Sequence, residues 1–103
     1  MTNVYVHGIG MTQFGTFVDK SMKELLLEAC IQALEDAGNP KVDAVFVGNF
    51  MGGAIYNQEI LGAIVANELG LGFIPTAKVE GACASGGIAL RQGIMGILSG
   101  EYE

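Results

Sequence analysis

Apolar positions come in short blocks separated by glycine, proline and polar residues, and their spacing changes from block to block. Residues 3–9 alternate in part, with Val4, Val6 and Ile9, and their β-branching predicts a strand. Residues 10–19 read as a loop. Ser21 and Glu24 then have the spacing of a capping box. Behind them Met22, Leu25, Leu26, Ala29, Cys30, Ala33, Leu34 and Ala37 recur on one helical face, and Gly38 and Pro40 stop the helix. Residues 42–48 form a short apolar run between breakers, which fits a buried strand. Residues 49–56 are a glycine-rich loop. Asn57 is placed to cap a second helix carrying Ile60, Leu61, Ile64, Val65 and Leu69 along one side, with Gly70 and Gly72 ending it. Residues 76–80 read as a third strand, Gly81 as a turn, and residues 83–99 as a third helix. The β-α-β-α-β-α order predicts an α/β fold with a mostly parallel sheet and right-handed crossovers. No linker or second domain stands out.

The third helix differs from the first. Ile88, Ala89, Leu90, Ile94, Met95, Ile97 and Leu98 go nearly all the way round it, and Arg91 is its charge. A helix that is apolar on every side is buried on every side. Three helices and three strands hold little material to bury it, so more chain or a partner is expected over its surface.

Composition narrows the function classes. Half of the 103 residues are apolar and 16% are charged, which excludes a disordered tail. The net charge of −6, with five Lys and Arg, argues against a nucleic-acid partner. No basic amphipathic face points to a membrane, and the first ten residues lack the positive and long apolar regions of a secretory signal. Residues 81–100 carry Arg91 and Gln92 in the middle, which makes a poor bilayer span. A cytoplasmic protein with reduced thiols at Cys30 and Cys83 is the expectation.

The chemistry centres on residues 79–87, Val-Glu-Gly-Ala-Cys-Ala-Ser-Gly-Gly. A strand ends, Gly81 turns, and Cys83 opens a helix. The positive end of a helix and its unpaired N–H groups favour a thiolate, and the same groups can hold an oxyanion. Ala82, Ala84, Ser85, Gly86 and Gly87 leave room for a substrate. The arrangement follows the strand-turn-helix logic of a hydrolase nucleophile elbow, with sulfur in place of oxygen. The alternative from spacing alone is that Cys83 is a small core residue. Glu80 beside it would oppose the thiolate. Asn49, Tyr56 and Asn57 border the glycine-rich loop and read equally as site residues or as polar side chains of a surface loop. Gly8 and Gly10 are too short a motif for a dinucleotide site. His7 reads as structural, Cys30 as packing on the helix face, and the Glu101 and Glu103 tail as solvated surface.

Residues 79–90, Val-Glu-Gly-Ala-Cys-Ala-Ser-Gly-Gly-Ile-Ala-Leu, resemble the nucleophile motif of the thiolases, in particular the sterol-carrier-protein-like and archaeal acetyl-CoA acetyltransferase branch. Residues 6–15, Val-His-Gly-Ile-Gly-Met-Thr-Gln-Phe-Gly, resemble that branch's first strand and loop. The resemblance covers essentially the whole chain in the same element order. It implies that residues 1–103 are the N-terminal portion of a thiolase N-terminal domain, the first part of a thiolase-like layered fold. It also implies that Cys83 takes an acyl group from an acyl-CoA, and that a deprotonated acetyl-CoA attacks the acyl-cysteine. The reverse reaction cleaves a 3-ketoacyl-CoA. CoA thioesters are then substrates, with no metal or bound cofactor, and the full-length family is homodimeric.

The family's activating His and second acid/base residue belong to Gly-His-Pro and Cys-x-Gly motifs of its C-terminal half. His7 matches neither, and Cys30 is followed by Ile31 and Gln32. The expectation is a segment of an acyltransferase that turns over no substrate alone. Alternatives are a non-catalytic remnant docking on a full-length thiolase, a thiol sensor, or part of a ketosynthase-like condensing enzyme.

Overall fold

The computed structural model describes residues 2–103. Its elements run α1 (Met22–Asp36), β1 (Val45–Gly48), α2 (Gly52–Tyr56), α3 (Leu61–Glu68), β2 (Thr76–Val79), a 3-10 turn at Ala82–Ala84, and α4 (Ser85–Leu98). The chain divides into two compact units. Tyr5–Lys41 forms one, and Val42–Glu103 makes up the greater part of the other.

In the smaller unit, α1 begins as the capping pattern predicts. The Ser21 Oγ accepts the Glu24 N–H at 3.1 Å, and the Glu24 carboxylate accepts from the Ser21 hydroxyl at 3.4 Å. Gly38 closes the helix with φ +80°. The strand expected over residues 3–9 does not form: residues 2–13 carry no regular structure. The reason is visible in its hydrogen bonds. Within this unit, the Ile9 N–H goes to the Asp36 carboxylate at 2.9 Å and the Met11 N–H to the Gln32 side chain at 3.2 Å. A strand needs a neighbouring backbone, and here helix side chains take its place. Gly8 and Gly10 allow the approach, because a Cβ at either would run into the α1 backbone at Ala33 or Ala29.

The larger unit is a parallel two-stranded sheet with helices against it. β1 pairs with β2 from Val45↔Thr76 to Gly48↔Val79. The crossover between them contains α2 and α3, as a parallel pairing requires. Val47, Leu61, Val65 and Ala66 form the buried core where α3 meets the sheet. Gly62 lets α3 settle onto β2: a Cβ there would sit 3.0 Å from the Ala77 backbone. The sequence reads residues 49–56 as a loop and places a helix capped by Asn57 after it, yet α2 forms within that loop. Asn57 ends α2 in the left-handed region (φ 54°), a conformation asparagine tolerates, and α3 starts at Leu61. Gly70 (φ +64°) and Gly72 (φ +82°) follow α3 as expected.

α4 packs against both strands. Ser85 is its buried residue, while Leu90, Met95 and Leu98 remain 47–63% exposed. The all-round apolar pattern is therefore covered only in part, with Ile88, Ala89, Ile94 and Ile97 partly buried. No helix of the described residues is long and apolar enough to cross a membrane.

Candidate active site

β1 and β2 run parallel and end at Gly48 and Val79, so the loops that follow them emerge at the same end of the sheet. In open α/β sheets this carboxyl end is where ligands bind. One bond links the two exits: the Asn49 N–H donates to the Val79 carbonyl at 3.0 Å. The Asn49 side-chain oxygen also accepts the Gly52 N–H at 2.6 Å, which turns the chain from β1 into α2. Asn49 is thus a structural joint. Tyr56 and Asn57 lie exposed at the far end of α2.

The Cys83 thiol is exposed, in the middle of the 3-10 turn between β2 and α4. The backbone just before it is bent. Ala82 has φ +51°, in the left-handed region, which costs a non-glycine residue about 1–2 kcal/mol. Four hydrogen bonds hold the bend. The Ala84 N–H donates to the Gly81 carbonyl at 3.0 Å, and the Ser85 N–H to the Ala82 carbonyl. The Gly81 N–H donates to the Ser85 Oγ at 3.0 Å, and the Ser85 hydroxyl donates to the Ala82 carbonyl at 2.7 Å. None of these bonds uses the Cys83 N–H.

Two glycines make the bend possible. A Cβ at Gly48 would collide with the Ser85 carbonyl, and one at Gly81 with the Ile88 side chain. Gly48 therefore lets the first residue of α4 sit directly on the end of β1. α4 starts at Ser85 without a side-chain cap, and Gly86 and Gly87 in its first turn are exposed. The first-turn N–H groups of a helix have no intrahelical acceptors and present its positive end. The arrangement leaves an exposed thiol at the start of α4 with open space above small side chains.

Cys30 contrasts with this. It is half-buried on α1, and burial pushes its thiol above the ordinary value. His7 is exposed on the irregular segment before α1. Glu80 is exposed at the end of β2. Among the described residues, no three His, Cys, Asp or Glu side chains come together as a metal site.

The turn and its cysteine are legible in the sequence, while the local hydrogen bonds of Ser85 are not. The one signal for them is a hydroxyl two residues after the cysteine, a residue type that bonds local backbone at turns and helix starts.

The comparisons with known proteins agree with this architecture. Residues 4–103 match the thiolase N-terminal domain. Acetyl-CoA acetyltransferase of Methanothermobacter thermautotrophicus is 43% identical and that of Methanocaldococcus jannaschii 39%, each over 100% of this chain and 27% of the relative. A benzoylsuccinyl-CoA thiolase subunit of Thauera aromatica is 30% identical over 94% of this chain and 25% of its own length. The chain thus spans about a quarter of the curated relatives it matches. With a match over all but its first three residues, this chain belongs to the thiolase family, through that family's N-terminal domain.

Proposed function

We propose that this chain is the part of an acyl-CoA C-acyltransferase that carries the acyl-accepting cysteine, Cys83. The observation that carries the reading is the exposed thiol on a bent turn at the carboxyl end of two parallel strands, with α4 starting beside it. The names of the archaeal relatives support acetyl-CoA as the donor. In the first half-reaction the Cys83 thiolate attacks the thioester carbonyl, and the carbon–sulfur bond to CoA breaks. CoA leaves as its thiolate, and the acyl group stays on Cys83. In the second, the methyl carbon of another acetyl-CoA, having lost a proton to a base, attacks the acyl-cysteine and releases the Cys83 thiolate. The chain contributes the nucleophile and N–H donors. The base and second acid/base group belong to the remaining part of a full-length thiolase, which acts in solution as a homodimer in the cytoplasm. No metal or bound cofactor takes part, because the activated species are thioesters.

Incubation of the 103-residue chain with acetyl-CoA, followed by intact mass and peptide mapping, tests the reading. One acetyl group on Cys83 and none on Cys30 is expected, with no condensation product. Equal labelling of the two cysteines, or none, would overturn it. The exposed apolar surface of α4 (Leu90, Met95, Leu98) supports a second reading, a module that docks on a full-length thiolase. A stable complex with such a protein and no Cys83 adduct is its signature.

A further inference from the structure

Ser85 is 4% exposed and is the buried polar side chain among the described residues. Its hydroxyl spans the thiol-bearing residue. It accepts the Gly81 N–H and donates to the Ala82 carbonyl, both before Cys83 in the chain, while Ser85 itself lies two residues after it. Two of the four bonds that hold the bend pass through this one oxygen. A left-handed alanine persists only where its surroundings over-determine it, and the Ser85 hydroxyl supplies that constraint at Ala82. Ser85 is anchored in turn, since its backbone sits on the end of β1 at the place Gly48 leaves open. The chain of contacts runs from the sheet, through Ser85, to the backbone on both sides of Cys83.

We propose that Ser85 is a positioning residue for the Cys83 thiol: its hydroxyl clamps the strand-to-helix turn and thereby fixes where the sulfur stands relative to the start of α4. The proposal rests on the reading of Cys83 as the acyl acceptor. Ser85 does not touch substrate; it acts through the turn. Ser85→Ala removes both bonds and leaves the Gly81 N–H and Ala82 carbonyl to find other partners, so Ala82 relaxes and the thiol moves. Ser85→Thr keeps a hydroxyl at the same position.

The test is acetyl transfer from acetyl-CoA to Cys83 in the 103-residue chain, with iodoacetamide alkylation of Cys30 as the internal reference and circular dichroism as the check on folding. In the parent chain Cys83 is expected to take the acetyl group faster than Cys30. In Ser85→Ala the rate of acetyl transfer to Cys83 falls about tenfold while the Cys30 alkylation rate is unchanged, because attack on a thioester depends steeply on where the nucleophile stands. In Ser85→Thr the Cys83 rate returns to within about twofold of the parent, as the retained hydroxyl requires. A merely structural role for Ser85 gives another pattern: loosening of the whole chain exposes Cys30 and speeds its reaction. That pattern, or an unchanged Cys83 rate in Ser85→Ala, overturns the proposal and leaves the nucleophile reading standing. Equal rates of acetyl transfer to the two cysteines in the parent chain overturn both. If Ser85→Ala does not fold, deuterium exchange on the parent chain decides. A protected Gly81 amide supports the clamp, and exchange there as fast as at the loop residue Gly15 overturns it.

Discussion

Cys83 stands exposed on a turn whose backbone is bent into the left-handed region, whereas Cys30 lies half-buried in the middle of α1, on ordinary helical backbone. Around Cys83 the neighbours are alanine, glycine and a clamped serine, and the helix begins there. Around Cys30 the helix is already complete, and its surroundings supply desolvation alone, which pushes the thiol up. The two sulfurs thus differ in placement. The turn before α4 gives a reagent access to the sulfur, and the half-buried helix face gives less.

The sharpest way to break the comparison is to remove each sulfur in turn. Cys83→Ser is expected to lower the yield of acetyl adduct from acetyl-CoA by at least about a hundredfold, as loss of a nucleophile typically does. Cys30→Ser should leave the Cys83 adduct within about twofold, since nothing ties the α1 face to acyl transfer. Intact mass reads both, and comparable losses in the two variants would erase the distinction.

Next in size are the glycine and cap substitutions. Gly48→Ala drives a methyl group into the Ser85 backbone and should destabilise the chain by about 1–3 kcal/mol in urea unfolding, with lower Cys83 reactivity. Ser21→Ala removes the α1 cap and should cost about 1 kcal/mol, with Cys83 reactivity unchanged. If both changes affected Cys83 equally, the local character of its setting would be lost.

The smallest effect concerns pH. The folded chain holds Cys30 protonated above the ordinary thiol range, so the group contributes stability that is present below that range. This contribution is lost as pH rises through it towards the raised value. Thermal melting of the parent chain should therefore fall more steeply under alkaline conditions than that of Cys30→Ala. Parallel curves would mean that burial of Cys30 carries no linkage.

The features easiest to read were those written in local chemistry. Ser21 with Glu24 marked the start of α1, Gly70 and Gly72 the end of α3, and Gly81-Ala82-Cys83 the turn between β2 and α4. Residues 3–9 misled because alternation records only a preference, and a strand exists where another backbone meets it; at Ile9 the Asp36 carboxylate took that place. Asn57 misled because asparagine suits a helix start and a left-handed helix end alike. The Ala82 bend and the Ser85 clamp were illegible for a different reason. An alanine gives no hint of a positive φ, and the buried serine's partners follow from the close approach of Gly48, which is tertiary.

The parallel pairing of Val45 with Thr76 carries a consequence for how the molecule assembles. A crossover holding two helices must close before the first ladder bond can form, and such non-local closure is slow. The bend at Ala82 leans on Gly48 from β1, and the Asn49–Val79 bond forms at the same sheet end, so its final geometry is downstream of that closure. The Gly81 amide should then open to exchange together with the Asn49 amide, as one cooperative unit. The setting of the sulfur is accordingly tied to closure of the crossover, and opening of the crossover should release it.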